Sequence, residues 1–190
     1  IPGQDFVMSK TEITQAVYKA VMGKNLSRFT GDSLPVEKVS WYDAVEFCNK
    51  LSKKAGLEPA YSINEDNVEC NRNADGYRLP TVEEWRYAAM GGENYKYSGS
   101  NNLDEVGWYD GNSGSKTHPV AQKKPNGYGL YDMSGNVLEW CWDSRGSYRY
   151  SCGGSWSFSA AGCEVGREIC GGARGRDDAL GFRIVRSTGK

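Results

Sequence analysis

The chain is predicted to be α+β with much irregular backbone, and three observations carry that prediction. A few segments combine helical periodicity with capping residues, short pieces have strand composition, and turn-forming clusters fill the spaces between. The 190 residues include 24 Gly, together with six Trp, twelve Tyr and five Phe, so turns and a packed aromatic core are both well supplied. No internal repeat and no linker poor in apolar residues divides the chain, which is expected to form one domain over residues 1–190.

In TEITQAVYKAVMG, Ile13, Ala16, Val17, Ala20 and Val21 recur at helical spacing and Gly23 supplies a left-handed stop, so a helix is predicted from Glu12 to Met22. SWYDAVEFCNKLSKKAG offers Ser40 as N-cap with Asp43 three residues on. Ala44, Val45, Phe47, Cys48 and Leu51 then fall on one side, and two Lys precede Gly56. LPTVEEWRYAAMGG places Thr81 and Glu84 in capping-box register ahead of a helix from Val82 to Met90. Turns are expected at 73–76, 98–102, 110–115 and 124–129, and strands at 77–79, 153–156 and 181–186. Leu130, Tyr131, Leu138 and Trp140 read as core, with Gly129 and Gly135 allowing tight turns.

Composition excludes several classes. The 23 basic and 24 acidic residues leave a net charge of −1, which supports neither a general nucleic-acid footprint nor a polybasic membrane surface. No apolar run approaches the roughly 20 residues of a spanning helix. Any export signal or lipid-bearing segment would therefore lie outside the given residues. The six Cys (48, 70, 141, 152, 163 and 170) admit 15 complete pairings that sequence does not choose between. Cys48 and Cys141 sit in apolar stretches and read as buried free thiols. With His118 the only histidine and no paired CxxC, zinc is disfavoured, and His118 reads as a surface loop residue.

Four stretches in order carry a family resemblance: residues 12–52, YRLPTVEEWRYAAMGG, YGLYDMSGNVLEWCWDS, and GGSW followed by GFRIVR. Together they resemble the formylglycine-generating-enzyme (sulfatase-modifying factor) family, over roughly Phe6 to Arg186. The resemblance implies a variant of the C-type lectin fold, with two or three helices and small antiparallel sheets supporting a loop-built face. It also implies a copper oxidase whose two Cys ligands have four residues between them. Here Cys163 occupies the second position and Phe158 the first. Phenylalanine cannot ligate Cu(I), so the oxidase is not expected. The family further implies a calcium alternative at Asn136 and Glu139. Oxygen ligands suit that ion, but one carboxylate is thin for a cation taking 6 to 8 oxygens.

Residues 20–57 resemble a particular branch of this family, the variable proteins of diversity-generating retroelements. That branch implies a ligand-binding display protein whose variable region, about 152–180, is rewritten at adenines of template Asn codons. Such rewriting reaches every residue type found between Ser157 and Ala179 except Glu, which leaves Glu164 and Glu168 as fixed positions. The expected binding face comprises Ser157, Phe158, Ser159, Ala161, Gly162, Arg167, Ile169, Gly172, Arg174, Asp177 and Asp178. Phe158, Ile169, Arg167 and Arg174 would be anchors, the two Asp polar specifiers, and the small residues the walls of a shallow pocket. Trp156 and Phe182 would be core struts, with Phe158 on the open face. The expected partner is a protein or surface ligand, met at the cell surface or in the periplasm, with membrane contact only through a lipid anchor beyond these residues. No cofactor other than the calcium alternative is implied. The other readings are a structural relative without catalysis and, last, the copper oxidase.

Overall fold

Two capping boxes set the two longest helices, α2 (Trp41–Lys54) and α3 (Val82–Met90), at the predicted places. In each, the N-cap hydroxyl accepts from the N3 amide while the N3 carboxylate accepts from the N-cap amide, as Ser40 with Asp43 and Thr81 with Glu84. The computed structural model describes residues 1–189. In it, β1 (Phe6–Met8) precedes α1 (Gln15–Met22), and β2 (Tyr61–Asn64), β3 (Asn67–Cys70) and β4 (Tyr77–Arg78) separate α2 from α3. A one-turn α4 (Leu103–Val106) follows, then β5 (Leu138–Arg145), β6 (Tyr148–Cys152), a 3₁₀ turn (Ala160–Cys163), β7 (Glu168–Gly172), β8 (Leu180–Gly181) and β9 (Val185–Ser187).

The strands form a sheet in the order β1-β9-β4, a β2-β3 hairpin, and a sheet in the order β7-β6-β5-β8. All pairings are antiparallel except β5 with β8, where Leu138 lies beside Leu180. This order places β7 and β8 at opposite edges of the same sheet. The chain between them must therefore cross the strands that separate them, and it does so over the start of α2: Trp41 N donates to Ala173 O and Lys38 N to Asp177 O. The main core holds Tyr18, Phe47 and Phe182, with Tyr18 stacked on Phe47 at 5.6 Å and Phe182 edge-on to both rings.

Several sequence expectations are corrected. Helix α1 starts at Gln15 because the Thr14 hydroxyl accepts from Val17 N, and Glu12 lies outside it. The helix buries Gln15 and Tyr18, whereas Ala16, Val17 and Ala20 face outward, Val17 being 43% exposed. The stacked Tyr18 ring and the four hydrogen bonds of the Gln15 amide to Asn25, Phe29, Gly31 and Pro35 decide its orientation, and these outweigh the smaller apolar residues. GGSW is no strand: Gly153 and Gly154 take φ of 99° and 68°, which turns the chain after β6. GFRIVR is split, with 182–184 leaving the ladder between β8 and β9. The β2-β3 hairpin escapes the sequence patterns because its strands are mostly polar and exposed, and β5 because its first four residues are all buried and do not alternate. Cys48 and Cys141 are buried free thiols as expected, and the other four Cys are also free.

Candidate binding face

A buried charge network frames the segment between GGSW and GFRIVR. Arg183, wholly buried, donates to both oxygens of the equally buried Glu139 at 2.7 and 2.8 Å, and to the backbone oxygens of Ser9, Lys10 and Tyr131. Trp85 Nε1 also donates to Glu139, at 2.6 Å, so α3, β5, the N-terminal stretch and the segment's exit meet at one carboxylate. Glu12 accepts from Asn136 Nδ2 at 2.8 Å and from Val137 N at 3.0 Å. Burial, with Asp132 and Glu139 nearby, raises the Glu12 carboxyl well above its usual range. Burial likewise pushes Asp132 up to about 6; its Oδ2 accepts from Ala121 N, and its Oδ1 has no hydrogen-bond partner.

These bonds decide the calcium alternative. Asn136 Oδ1 accepts from His118 N, its amide donates to Glu12 and His118 O, and the Glu139 oxygens face the Arg183 guanidinium and the Trp85 indole. Such oxygens are already committed, and the Arg183 guanidinium already neutralises Glu139, so Asn136 and Glu139 do not fit a calcium site. Among the described residues, no group of three or more His, Cys, Asp and Glu side chains is placed to hold a metal ion. His118 is half-buried rather than a free loop residue, its ring stacked on Trp108 at 3.7 Å and its Nε2 2.6 Å from Ser113 O.

The copper position is equally occupied by structure. Gly154 takes a left-handed φ where the backbone passes Cys163: a Cβ there would lie 2.6 Å from its sulfur. The Cys163 thiol is buried and donates to Ser155 O, and burial pushes it up to about 12, so it stays protonated at neutral pH. The Phe158 ring, expected on the open face, is half-buried between the main core and a smaller cluster of Tyr97, Leu103, Val106 and Cys163. It covers Gly162, whose hypothetical Cβ would lie 2.9 Å from the ring. Gly162 is thus room for Phe158 rather than the wall of a pocket. Trp156 is likewise half-buried, edge-on to Phe29, with Nε1 donating to Asp178 O.

The structure divides the remaining expected residues into open and tethered sets. Ser157, Ser159, Ala161, Arg167, Ile169 and Gly172 are open, with Ile169 43% exposed on edge strand β7. Arg174, Asp177 and Asp178 are tethered. Arg174 pairs with Asp66 and lies over the Tyr42 ring at 5.2 Å. Asp178 pairs with Arg28 at 2.5 Å, and Asp177 accepts from Ala179 N through its side chain and from Lys38 N through its carbonyl. Arg176, not among the expected residues, pairs with Asp43 at 2.8 Å. The two expected fixed positions are both docked on scaffold cations, Glu164 on Lys96 at 3.2 Å and Glu168 on Arg86 at 2.5 Å. Sequence reasoning missed every one of these scaffold partners. Those hydrogen-bonded to Glu168, Arg174, Arg176 and Asp178 lie 82 to 150 residues away along the chain, and no local pattern marks them.

Comparison with known proteins adds four findings. Residues 1–188 match the family described as sulfatase-modifying factor enzyme 1-like domain. The chaperone protein LppX of Paenibacillus barcinonensis is 42% identical over 225 residues, covering 96% of this chain and 80% of LppX. The structure of Treponema denticola variable protein 1 superposes with a TM-score of 0.92 at 41% identity, covering 96% of this chain and 84% of that one. A formylglycine-generating enzyme of Thermomonospora curvata is 34% identical over 145 residues, but the match spans only 39% of that enzyme. The architecture is the C-type lectin variant expected from the resemblance.

Proposed function

The chain belongs to the sulfatase-modifying factor enzyme 1-like family, and from that premise we propose that it is a non-catalytic display protein that binds a protein or surface ligand through residues 157–179. The observation that carries this reading is the split between frame and face. The fold is closed by Arg183, Glu139, Glu12 and Trp85, none of which belongs to the segment, while most side chains of the segment stand in solvent. Residues on such a face can change without disturbing the frame, as a paratope requires. Rewriting at adenines would supply the change. Glu164 and Glu168, which it cannot produce, act as the pegs that hold the segment to Lys96 and Arg86. The open anchors are Ile169 and, two residues before it, Arg167.

A copper oxidase is disfavoured because Phe158 supplies no ligand and Cys163 is a buried, protonated thiol. Tight two-thiolate binding in a Cu(I) titration, with turnover of a cysteine peptide, would reverse that ordering. The name of the LppX relative favours a second reading, a chaperone that binds unfolded clients on the same face. The display reading further places the protein at the cell surface or in the periplasm, held by an anchor outside these residues. A panel of surface and host proteins should bind the parent chain and not a variant with Ser157, Ser159, Arg167 and Ile169 all changed to Ala. Equal binding by both would refute the display reading. Suppression of aggregation of many unrelated unfolded proteins, without selectivity in the panel, would favour the chaperone. In the natural DNA, a nearby near-copy of the segment's coding sequence, differing mainly at adenines, is expected.

A further inference from the structure

The turn after β7 carries Arg174 into a notch whose aromatic ring and carboxylates belong to the scaffold, with Arg176 of the segment at one side. Trp41 N holds Ala173 O, and Gly175 N donates to Gly172 O, which fixes the turn against the first residue of α2. The Arg174 guanidinium lies over the Tyr42 ring and pairs with Asp66 at the tip of the β2-β3 hairpin. Tyr42 is itself tied to that tip, its hydroxyl donating to Asp66 O at 3.2 Å. The ring is therefore set against the backbone of the hairpin tip that carries the carboxylate, whether or not an arginine is present. A hollow opens on each side of the Arg174 side chain, of about 330 and 400 Å³, and Tyr42, Glu46 and Arg174 line both. The second hollow adds apolar Val45 and Ile63 and the carboxylates of Glu65 and Asp66, and Glu65 has no ion-pair partner among the described residues. The arginine is the partition between the two, and with its side chain 74% exposed it is held only by the solvent-screened Asp66 pair and the Tyr42 ring.

An aromatic face, carboxylates carried by the scaffold and apolar walls make a receptor for a cationic side chain, since a guanidinium can stack, pair and bury its stem at once. We propose that this notch binds an arginine or lysine side chain of a protein partner, and that in this chain Arg174 fills it as an internal substitute. The proposal rests on the display reading only for the identity of the partner, because the ring and carboxylates of the notch are scaffold residues. A tethered side chain competes at millimolar effective concentration. The parent protein should therefore bind a free cation weakly, and a chain with a small residue at 174 should leave the notch open.

The test is a titration of the ¹⁵N-labelled protein with N-acetyl-arginine amide, with N-acetyl-glutamine amide as control. Arg174→Ala should show saturable shifts confined to the amides around Tyr42 and Asp66, with affinity at least about tenfold above the parent. Adding Asp66→Asn to that variant should remove the response, as should high salt. The same spectra report whether each variant is folded. Absence of saturable shifts in folded Arg174→Ala, or shifts that survive Asp66→Asn, would overturn the proposal. Failure of the partner panel with an intact arginine response would instead fault the display reading and leave the notch standing.

Discussion

Arg183 and Arg174 stand at the two extremes of this molecule's electrostatics. Arg183 is sealed, its side chain 0% exposed and its guanidinium shared among Glu139 and three backbone oxygens. Arg174 is 74% exposed and pairs with an Asp66 that is 68% exposed. A buried pair is costly to assemble but far costlier to break, whereas exposed pairs are screened and can be exchanged. Substitution at Arg183 should therefore cost far more than substitution at Arg174.

Breaking the frame should give the largest effect. Arg183→Ala leaves Glu139 buried and unpaired, and should lower unfolding stability in urea by about 3–5 kcal/mol. A loss below about 1 kcal/mol would mean that the network is not the closure of the fold. The next effect is one of pH. Asp132 is raised from 3.8 to about 6 by burial, with Arg183 opposing and Glu139 adding to the rise, and it faces Glu12 as a third buried carboxylate. The native state therefore holds the proton more tightly than the unfolded chain. The associated stability is fully present below about pH 4 and is lost as pH rises through about 6, amounting to roughly 3 kcal/mol at about 1.4 kcal/mol per unit. Asp132→Asn should flatten the stability profile between pH 4 and 6; an unchanged slope would assign it to other groups.

Much of the frame can be read in the sequence and little of the face. The capping boxes at Ser40 and Thr81 are local patterns three residues long, and local patterns survive folding. The apolar residues of YGLYDMSGNVLEW were also placed correctly, with Leu130, Leu138 and Trp140 buried, although Tyr131 is only half-buried. The start of α1 was misread because Glu12, which looks like a first-turn helical acid, serves Asn136 and Val137 more than 120 residues away. At the face the departure from the two-Cys pattern was visible at Phe158, but its consequence was not. Without the position of Gly162, an aromatic ring in place of a reactive Cys looks exposed, whereas here it fills the space a glycine leaves. Ile169 shows the same limit from the other side: its exposure follows from β7 being an edge strand, a property of topology rather than of residue type.

Where the frame meets the face, Gly154 should respond between the extremes. Ala at this position needs a left-handed backbone and brings a Cβ within 2.6 Å of Cys163 Sγ and 2.7 Å of Gly162 O. A cost of about 1–3 kcal/mol is expected from the strain. Gly154→Ala combined with Cys163→Ala should recover only part of it, because the backbone clash persists when the sulfur is gone. Full recovery would show that the sulfur alone demands the glycine.

The smallest effect is expected within the segment. Arg28 and Asp178 have side chains 59% and 24% exposed, which puts their pairing among surface ion pairs worth about 0.2–1 kcal/mol. Asp178→Asn keeps the backbone oxygen that accepts from Trp156 Nε1, so it removes the charge and spares the hydrogen bond. Its loss of stability in urea should stay below about 1 kcal/mol and shrink further in high salt. Any larger, salt-insensitive loss would place Asp178 with the frame. On the display reading the replaceable surface would then end before it, confined to the stretch from Ser157 to Asp177.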